Sequence, residues 1–135
     1  MDIKTLVFPA IVTICALLVY FGLGIGVAVA RVKYKVMPPQ ITGNENFERV
    51  FRAHQNTLEQ IVIFLPCLWL FSIFDSPNVG AILGSVWVVG RIAYAWGYYV
   101  EASKRAAGNA IASLATLALM FGTLFNLVRG LFFAG

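Results

Sequence analysis

The chain has 135 residues, of which 60% are hydrophobic and 12% are charged, and its formal net charge is +4. This composition excludes an ordinary soluble domain, because several stretches approach the ~20 apolar residues that cross a bilayer. The basic residues flank those stretches, which fits membrane topology better than nucleic-acid binding. Cys15 and Cys67 both lie in apolar stretches, and their spacing indicates neither a disulfide framework nor a metal site.

The first apolar stretch, at about 6–30, predicts a membrane helix that is retained in the mature protein. Ala28-Val29-Ala30 resembles a signal-peptide cleavage site, but the apolar run far exceeds the ~7–15 residues of a signal-peptide core. Basic residues follow at 31–35, and Pro38-Pro39 then indicates a loop.

Three more apolar stretches predict the remaining helices, at about 47–74, 79–100 and 110–133. Pro66 predicts a kink in the second helix unless neighbouring helices compensate for it. A polar turn at 75–78 and a basic connection at 101–105, which Gly108-Asn109 closes, separate the last three helices. The predicted fold class is all-α: one integral membrane domain covering 1–135, folded as an up-down four-helix bundle.

Charged and small residues predict how the helices are oriented and packed. The first and third connections carry the basic residues Arg31, Lys33, Lys35, Lys104 and Arg105, whereas the second carries only Asp75. By the positive-inside rule, the two basic connections lie in the cytoplasm. Two pairs of glycines spaced by four residues, Gly22 with Gly26 and Gly80 with Gly84, predict close helix packing.

Polar side chains form a line along one face of the second helix and another line along one face of the third. The lines consist of Arg52, Asn56 and Glu59 in the second helix, and of Arg91, Tyr94 and Tyr98 in the third. Arg105 extends the later line by another seven residues, if the third helix continues that far. Because neighbouring helices run antiparallel, both lines fall in the cytoplasmic half of the bundle.

A charge deep in a membrane helix needs compensation, since each one costs ~2.5–3.5 kcal/mol to insert. Glu59 and Arg91 therefore pair with opposite charges or face a wet cavity, and a salt bridge that locks the helices together is one interpretation. The other interpretation follows from the surplus of cations over Glu59 at this level, namely Arg31, Arg52, Arg91 and Arg105. Such a cluster favours a site, open to the cytoplasm, for a small and multiply charged anion.

The same residues resemble the signatures of a known family, the membrane-associated proteins in eicosanoid and glutathione metabolism (MAPEG). The second helix carries Phe47-Glu48-Arg49-Val50-Phe51-Arg52-Ala53, followed by Asn56 and Glu59. The third helix and the connection after it carry Gly90-Arg91, Tyr94, Gly97-Tyr98 and Lys104-Arg105. The first loop carries Ala30-Arg31, Tyr34-Lys35-Val36 and Pro38-Pro39. The likeness covers nearly the whole chain, and within the family it is similar to microsomal glutathione transferases of types 2 and 3 and to leukotriene C synthase.

The resemblance implies a homotrimer of four-helix subunits, with glutathione as a co-substrate bound between adjacent subunits near the cytoplasmic side. It implies that the residues that bind glutathione are Arg31, Arg52, His54, Asn56, Glu59, Arg91, Tyr94 and Tyr98. His54 has an alternative interpretation as a helix-end residue that faces lipid headgroups. Arg105 is implied to be catalytic, because a guanidinium beside sulfur favours the thiolate over the thiol. No metal is implied.

The implied activity is that of a glutathione transferase whose apolar electrophile arrives from the bilayer, with reduction of lipid hydroperoxides as a further reaction. The sequence departs from the family pattern at two positions. Val32 stands where leukotriene C synthases carry a second arginine, which argues against dedicated leukotriene synthesis. Gln60 stands where relatives often have a tyrosine that contacts glutathione.

Two other functions remain open from the sequence. A non-catalytic lipid-binding scaffold, resembling the lipoxygenase-activating protein, has the same architecture, although Arg105 and the anion-binding set argue against it. A small transport or channel subunit needs polar residues along the whole depth of a path, whereas residues 61–74 and 110–125 offer little beyond apolar side chains and a few hydroxyls. The Phe133-Ala134-Gly135 end carries no clear retention signal, so a bacterial inner membrane and the endoplasmic reticulum both remain open, and the short tail favours the bacterial membrane.

Overall fold

A computed structural model describes residues 2–133, and within that range the protein is all-helical, as predicted. The four long helices are α1 (Val7–Tyr34), α2 (Glu45–Phe74), α3 (Pro77–Val100) and α4 (Ala106–Phe133). Two short 3-10 helices, Ile3–Leu6 and Ala102–Arg105, precede α1 and α4. Each of the four long segments is long and apolar enough to cross a membrane. Residues 134–135 at the end of the chain lie outside the described range.

Two helix boundaries differ from the predicted ones by four residues, and the others agree within two. α1 continues past Ala30 to Tyr34, because no helix-breaking residue intervenes, and Lys35 then ends it in the left-handed conformation (φ 58°). α4 begins at Ala106, so Gly108 lies inside the helix and does not close a loop. The reason is tertiary, since an added Cβ on Gly108 would meet backbone atoms of Gly90 and Tyr94, so α3 and α4 pack closely at this residue.

Side-chain caps fix where α2 and α3 begin. The Asn44 side chain accepts hydrogen bonds from the backbone N–H groups of Asn46 (2.9 Å) and Phe47 (3.1 Å) at the start of α2. Ser76 accepts from the N–H of Val79 at the start of α3, where proline occupies the first turn. The short connection between these caps makes α2 and α3 an antiparallel pair, and together they form the centre of the bundle.

The apolar core lies midway along the bundle. Phe64 of α2 stacks on Trp87 of α3 with ring centroids 4.0 Å apart, and Leu68 and Leu119 are fully buried beside them. α2 remains a continuous helix through Pro66, whose side chain is exposed. Most side chains on the outward faces are apolar and exposed, as expected of helices that are solvated by lipid.

The glycine pairs pack the helices closely, with one exception. A Cβ on Gly84 would lie 2.7 Å from Cγ1 of Val12, and one on Gly80 would lie 2.6 Å from the hydroxyl of Ser72, so both predicted contacts are confirmed. The prediction is wrong for Gly22, which has no atom within 4 Å of an added Cβ. An added Cβ on Gly26 would lie 3.1 Å from the hydroxyl oxygen of Tyr99, so this glycine does make a close contact.

The two free cysteines lie in different surroundings. Cys15 is exposed on α1, whereas Cys67 is buried on α2.

Candidate functional site

A groove at the end of the bundle that carries the first and third connections collects most of the predicted site residues. It has a volume of about 270 Å³ and is lined mainly by polar atoms. Its lining residues are Arg52, Gln55, Asn56, Glu59, Tyr94, Tyr98 and Arg105, and we call it the polar groove. Six of the residues predicted from the sequence are therefore brought together, and Gln55 joins them.

Helix periodicity explains why α2 and α3 contribute these side chains. Residues spaced by three and four positions share one face of α2, and Arg52, Asn56 and Glu59 have that spacing. Tyr94 and Tyr98 lie one turn apart on α3, and both are buried. Their rings meet edge to face with centroids 5.6 Å apart, so they form a firm wall opposite the α2 side chains.

Arg105 reaches the polar groove by a different route from the predicted one. α3 ends at Val100 and Glu101 is extended, so Arg105 lies in a separate 3-10 helix and not on a continuation of α3. Its Nη1 donates to the carbonyl oxygen of Ala102 at 2.6 Å, and its guanidinium carbon lies 5.1 Å from the centroid of the Tyr98 ring. These contacts hold an exposed cation against the rim of the groove.

Arg91 lies behind the polar groove and does not line it. It is fully buried, and its guanidinium donates to Asn56 Oδ1 (3.0 Å), Thr57 Oγ1 (2.6 Å) and Asn109 Oδ1 (3.3 Å). Its guanidinium carbon also lies 3.9 Å from the centroid of the Tyr94 ring. All three acceptors are neutral, so these contacts give no support to the interpretation that a salt bridge between Arg91 and Glu59 locks the helices.

Sequence reasoning missed the part that Thr57 and Asn109 play around Arg91. Thr57 follows the predicted site residue Asn56, but it is buried on another side of α2 and does not belong to the line of polar residues. Gly108-Asn109 predicts a loop, which hides the contact that Asn109 makes from α4. Both could have been identified only from the packing of α4 against α2 and α3.

Arg31 and His54 lie outside the polar groove. Nη1 of Arg31 donates to the carbonyl oxygens of Val36 (3.1 Å) and Gln40 (2.6 Å), which ties down the first connection. The Arg31 guanidinium also lies over the ring of Phe47, 5.0 Å from its centroid. His54 points towards α1 and stacks on Tyr20 with ring centroids 4.6 Å apart. The structure thus separates these two predicted residues from the other seven.

Comparison with known proteins places the chain in a family. Residues 9–125 match the MAPEG family. An uncharacterized protein of the cyanobacterium Synechocystis is 53% identical over 123 residues, which are 91% of this chain and 90% of that protein. Microsomal glutathione S-transferase 2 of Homo sapiens is 46% identical over 101 residues, which are 75% of this chain and 67% of that protein. Leukotriene C4 synthase of Cavia porcellus is 36% identical over 98 residues, 73% of this chain and 65% of that protein. The chain belongs to the MAPEG family.

Proposed function

We propose that this protein is a membrane-bound glutathione transferase, with glutathione peroxidase activity, that turns bound glutathione into a thiolate. The thiolate attacks lipophilic electrophiles or reduces lipid hydroperoxides. The observation that carries the proposal is the polar groove, which gathers cations, a carboxylate, two amides and two phenols at one end of an apolar bundle. The similarity to a glutathione S-transferase and to a leukotriene C4 synthase supports it.

The charges of the polar groove complement those of glutathione. The tripeptide carries two carboxylates, one ammonium group and a thiol. Arg52 matches a carboxylate, Glu59 matches the ammonium group, and Arg105 matches the sulfur once it is ionised. Gln55 and Asn56 are suited to the peptide amides, since an amide side chain both donates and accepts hydrogen bonds.

Arg105 is the proposed catalytic residue. A guanidinium close to the glutathione sulfur lowers the pKa of the thiol, so that more of the reactive thiolate is present at neutral pH. The contacts with Ala102 and Tyr98 hold this cation at the groove's rim before the ligand binds. Electrophiles reach the sulfur from the bilayer, because the outward faces of the bundle expose mostly apolar side chains and so offer lipophilic molecules a path along the protein surface.

The homotrimer that the family resemblance implies is part of the proposal. Arg31 and His54 lie away from their own polar groove, and each is held in place by contacts within its own chain. We propose that they complete the groove of an adjacent subunit and that the site faces the cytoplasm. A bacterial inner membrane is the proposed location, in keeping with the similarity to a cyanobacterial protein.

Calorimetric titration of the detergent-solubilised protein with glutathione, beside turnover assays, tests the function. We expect saturable binding, with glutathione-dependent conversion of an aryl halide and of a lipid hydroperoxide. Binding of glutathione without turnover of either substrate would contradict the enzymatic function. If a folded sample binds lipid but no glutathione, the protein is a non-catalytic scaffold.

We predict that Glu59 binds the ammonium group of glutathione. Glu59→Gln removes the negative charge, and we expect the Kd of glutathione to rise about tenfold to a hundredfold, as for loss of a hydrogen bond between charged groups. N-acetylglutathione, which lacks the ammonium group, serves as the matched ligand. The Kd of N-acetylglutathione should be nearly the same for wild type and variant. If both ligands lose affinity equally, Glu59 does not contact the ammonium group.

A further inference from the structure

Arg91 is a permanent cation that lies in the core behind the polar groove. It is fully buried, and the three side chains that accept its hydrogen bonds, on α2 and α4, are all neutral. Its Nε makes no hydrogen bond within the described range of residues. Burying a guanidinium without a carboxylate partner is costly, because neutral hydrogen-bond acceptors offset only part of the cost of removing the charge from water. The presence of an arginine at this position therefore indicates a role that needs its hydrogen-bond donors or its charge.

The contact with Asn56 supplies such a role. Arginine has only hydrogen-bond donors, so the Asn56 amide must turn its carbonyl oxygen Oδ1 towards Arg91. The amino group Nδ2 is on the other branch of the same planar amide and is directed away from Arg91. Asn56 itself lines the polar groove, so its free donors are available to a ligand there.

The rest of the contacts hold Arg91 firmly enough to impose this orientation. The Thr57 hydroxyl donates to the carbonyl oxygen of Ala53 at 2.8 Å while it accepts from Arg91, so its lone pair is fixed towards the guanidinium. Asn109 holds the other terminal nitrogen from α4, and the Tyr94 ring lies against the guanidinium. Contacts from three helices thus set the position from which Arg91 donates to Asn56.

We infer that Arg91 is a positioning residue, which fixes the Asn56 amide so that Nδ2 donates into the polar groove to a carboxylate or peptide carbonyl oxygen of the ligand. The inference rests on the proposed function, since the ligand meant is glutathione. Arg91 acts through Asn56 and does not touch glutathione, in contrast to the direct contact that the family resemblance implies. The polar groove therefore selects a hydrogen-bond acceptor at this point.

A double-mutant cycle on the full-length protein in detergent tests the coupling. Asn56→Ala and Arg91→Met should each raise the Kd of glutathione about tenfold or more, because each removes the oriented donor. The double variant should bind no more weakly than Asn56→Ala alone, since Arg91 acts only through that amide. Losses that add together would show that Arg91 contacts the ligand or acts by its charge alone, and would overturn the inference.

Thermal stability separates positioning from a merely structural role. Arg91→Met should have a Tm at or above that of wild type, because an apolar residue of similar length replaces a buried charge that has no carboxylate partner. Leu119→Ala, in the core away from the groove, is the matched control and should lower the Tm while leaving the Kd unchanged. A large fall in the Tm of Arg91→Met would mean that the arginine has a structural role, and would overturn the inference.

The glutathione titration distinguishes failure of the proposed function from failure of this inference. If wild type binds no glutathione, both fail. If wild type binds glutathione but the two single losses add in the double variant, only the inference fails.

Discussion

Arg105→Ala is expected to abolish most turnover while leaving glutathione bound. Removing the Arg105 guanidinium from the groove's rim should lower kcat about 10²–10³-fold, the loss typical of a missing electrostatic contact to a developing anion. Binding should persist, because Arg52, Glu59 and the two tyrosines still line the polar groove. An ultraviolet scan of the glutathione complex should show thiolate absorbance for wild type and none for the variant.

Lys104→Ala is the matched control for the Arg105 experiment. Lys104 precedes Arg105 in the same 3-10 helix, is exposed, and does not line the polar groove. Its removal changes the net charge equally, so turnover and thiolate absorbance should stay close to those of wild type. Equal losses for both variants would mean that the general positive potential of this end, and not the position of the Arg105 guanidinium, activates the thiol.

Gly108→Ala is expected to destabilise the bundle strongly. An added Cβ would collide with the backbone nitrogen of Tyr94 and would lie 2.6 Å from the carbonyl oxygen of Gly90. Backbone atoms within a helix cannot swing aside, so α3 and α4 must separate along their shared face. We expect destabilisation at the upper end of overpacking effects, about 3 kcal/mol or more. Thermal unfolding in detergent measures it, and because Tyr94 borders the polar groove, glutathione affinity should fall as well.

Gly22→Ala is the control for that substitution. Gly22 lies in the interior of α1, and an added Cβ there meets no atom within 4 Å. The change should be neutral or should stabilise the helix by ~0.5–1 kcal/mol, since alanine has the better helix propensity. A comparable loss of stability at both positions would contradict the view that close approach of α3 and α4 is what requires glycine at 108.

The spacing of polar residues was enough to predict the two walls of the polar groove. Arg52, Asn56 and Glu59 share a face by local periodicity, and a two-residue turn brings the α2 face next to Tyr94 and Tyr98. Both facts are local properties of the chain. A sequence can therefore reveal them without knowledge of the packing.

The parts that the sequence could not reveal depend on contacts between distant segments. Arg91 and Tyr94 are one turn apart, yet they differ by about 60° around the helix axis at 3.6 residues per turn. That difference puts the tyrosine at the groove and the arginine behind it. Gly108-Asn109 is typical of a loop, but packing against α3 draws both residues into a helix. Arg31 turns inward onto the carbonyl oxygens of a loop whose path no local pattern fixes.

Because only one of the two cysteines is exposed, the native sequence can be spin-labelled at a single site to count the subunits of the assembly. A nitroxide reagent carried in lipid would modify Cys15, which is exposed on α1, and would spare Cys67, which is buried. The label would report from an exposed face of α1 without any engineered thiol and without a residue of the polar groove being altered. In a closed ring with threefold symmetry, all label pairs have one separation, and the depth of the dipolar modulation counts the spins in each particle. Pulsed electron paramagnetic resonance on the unmodified sequence would thus determine the subunit number independently of any assay of catalysis.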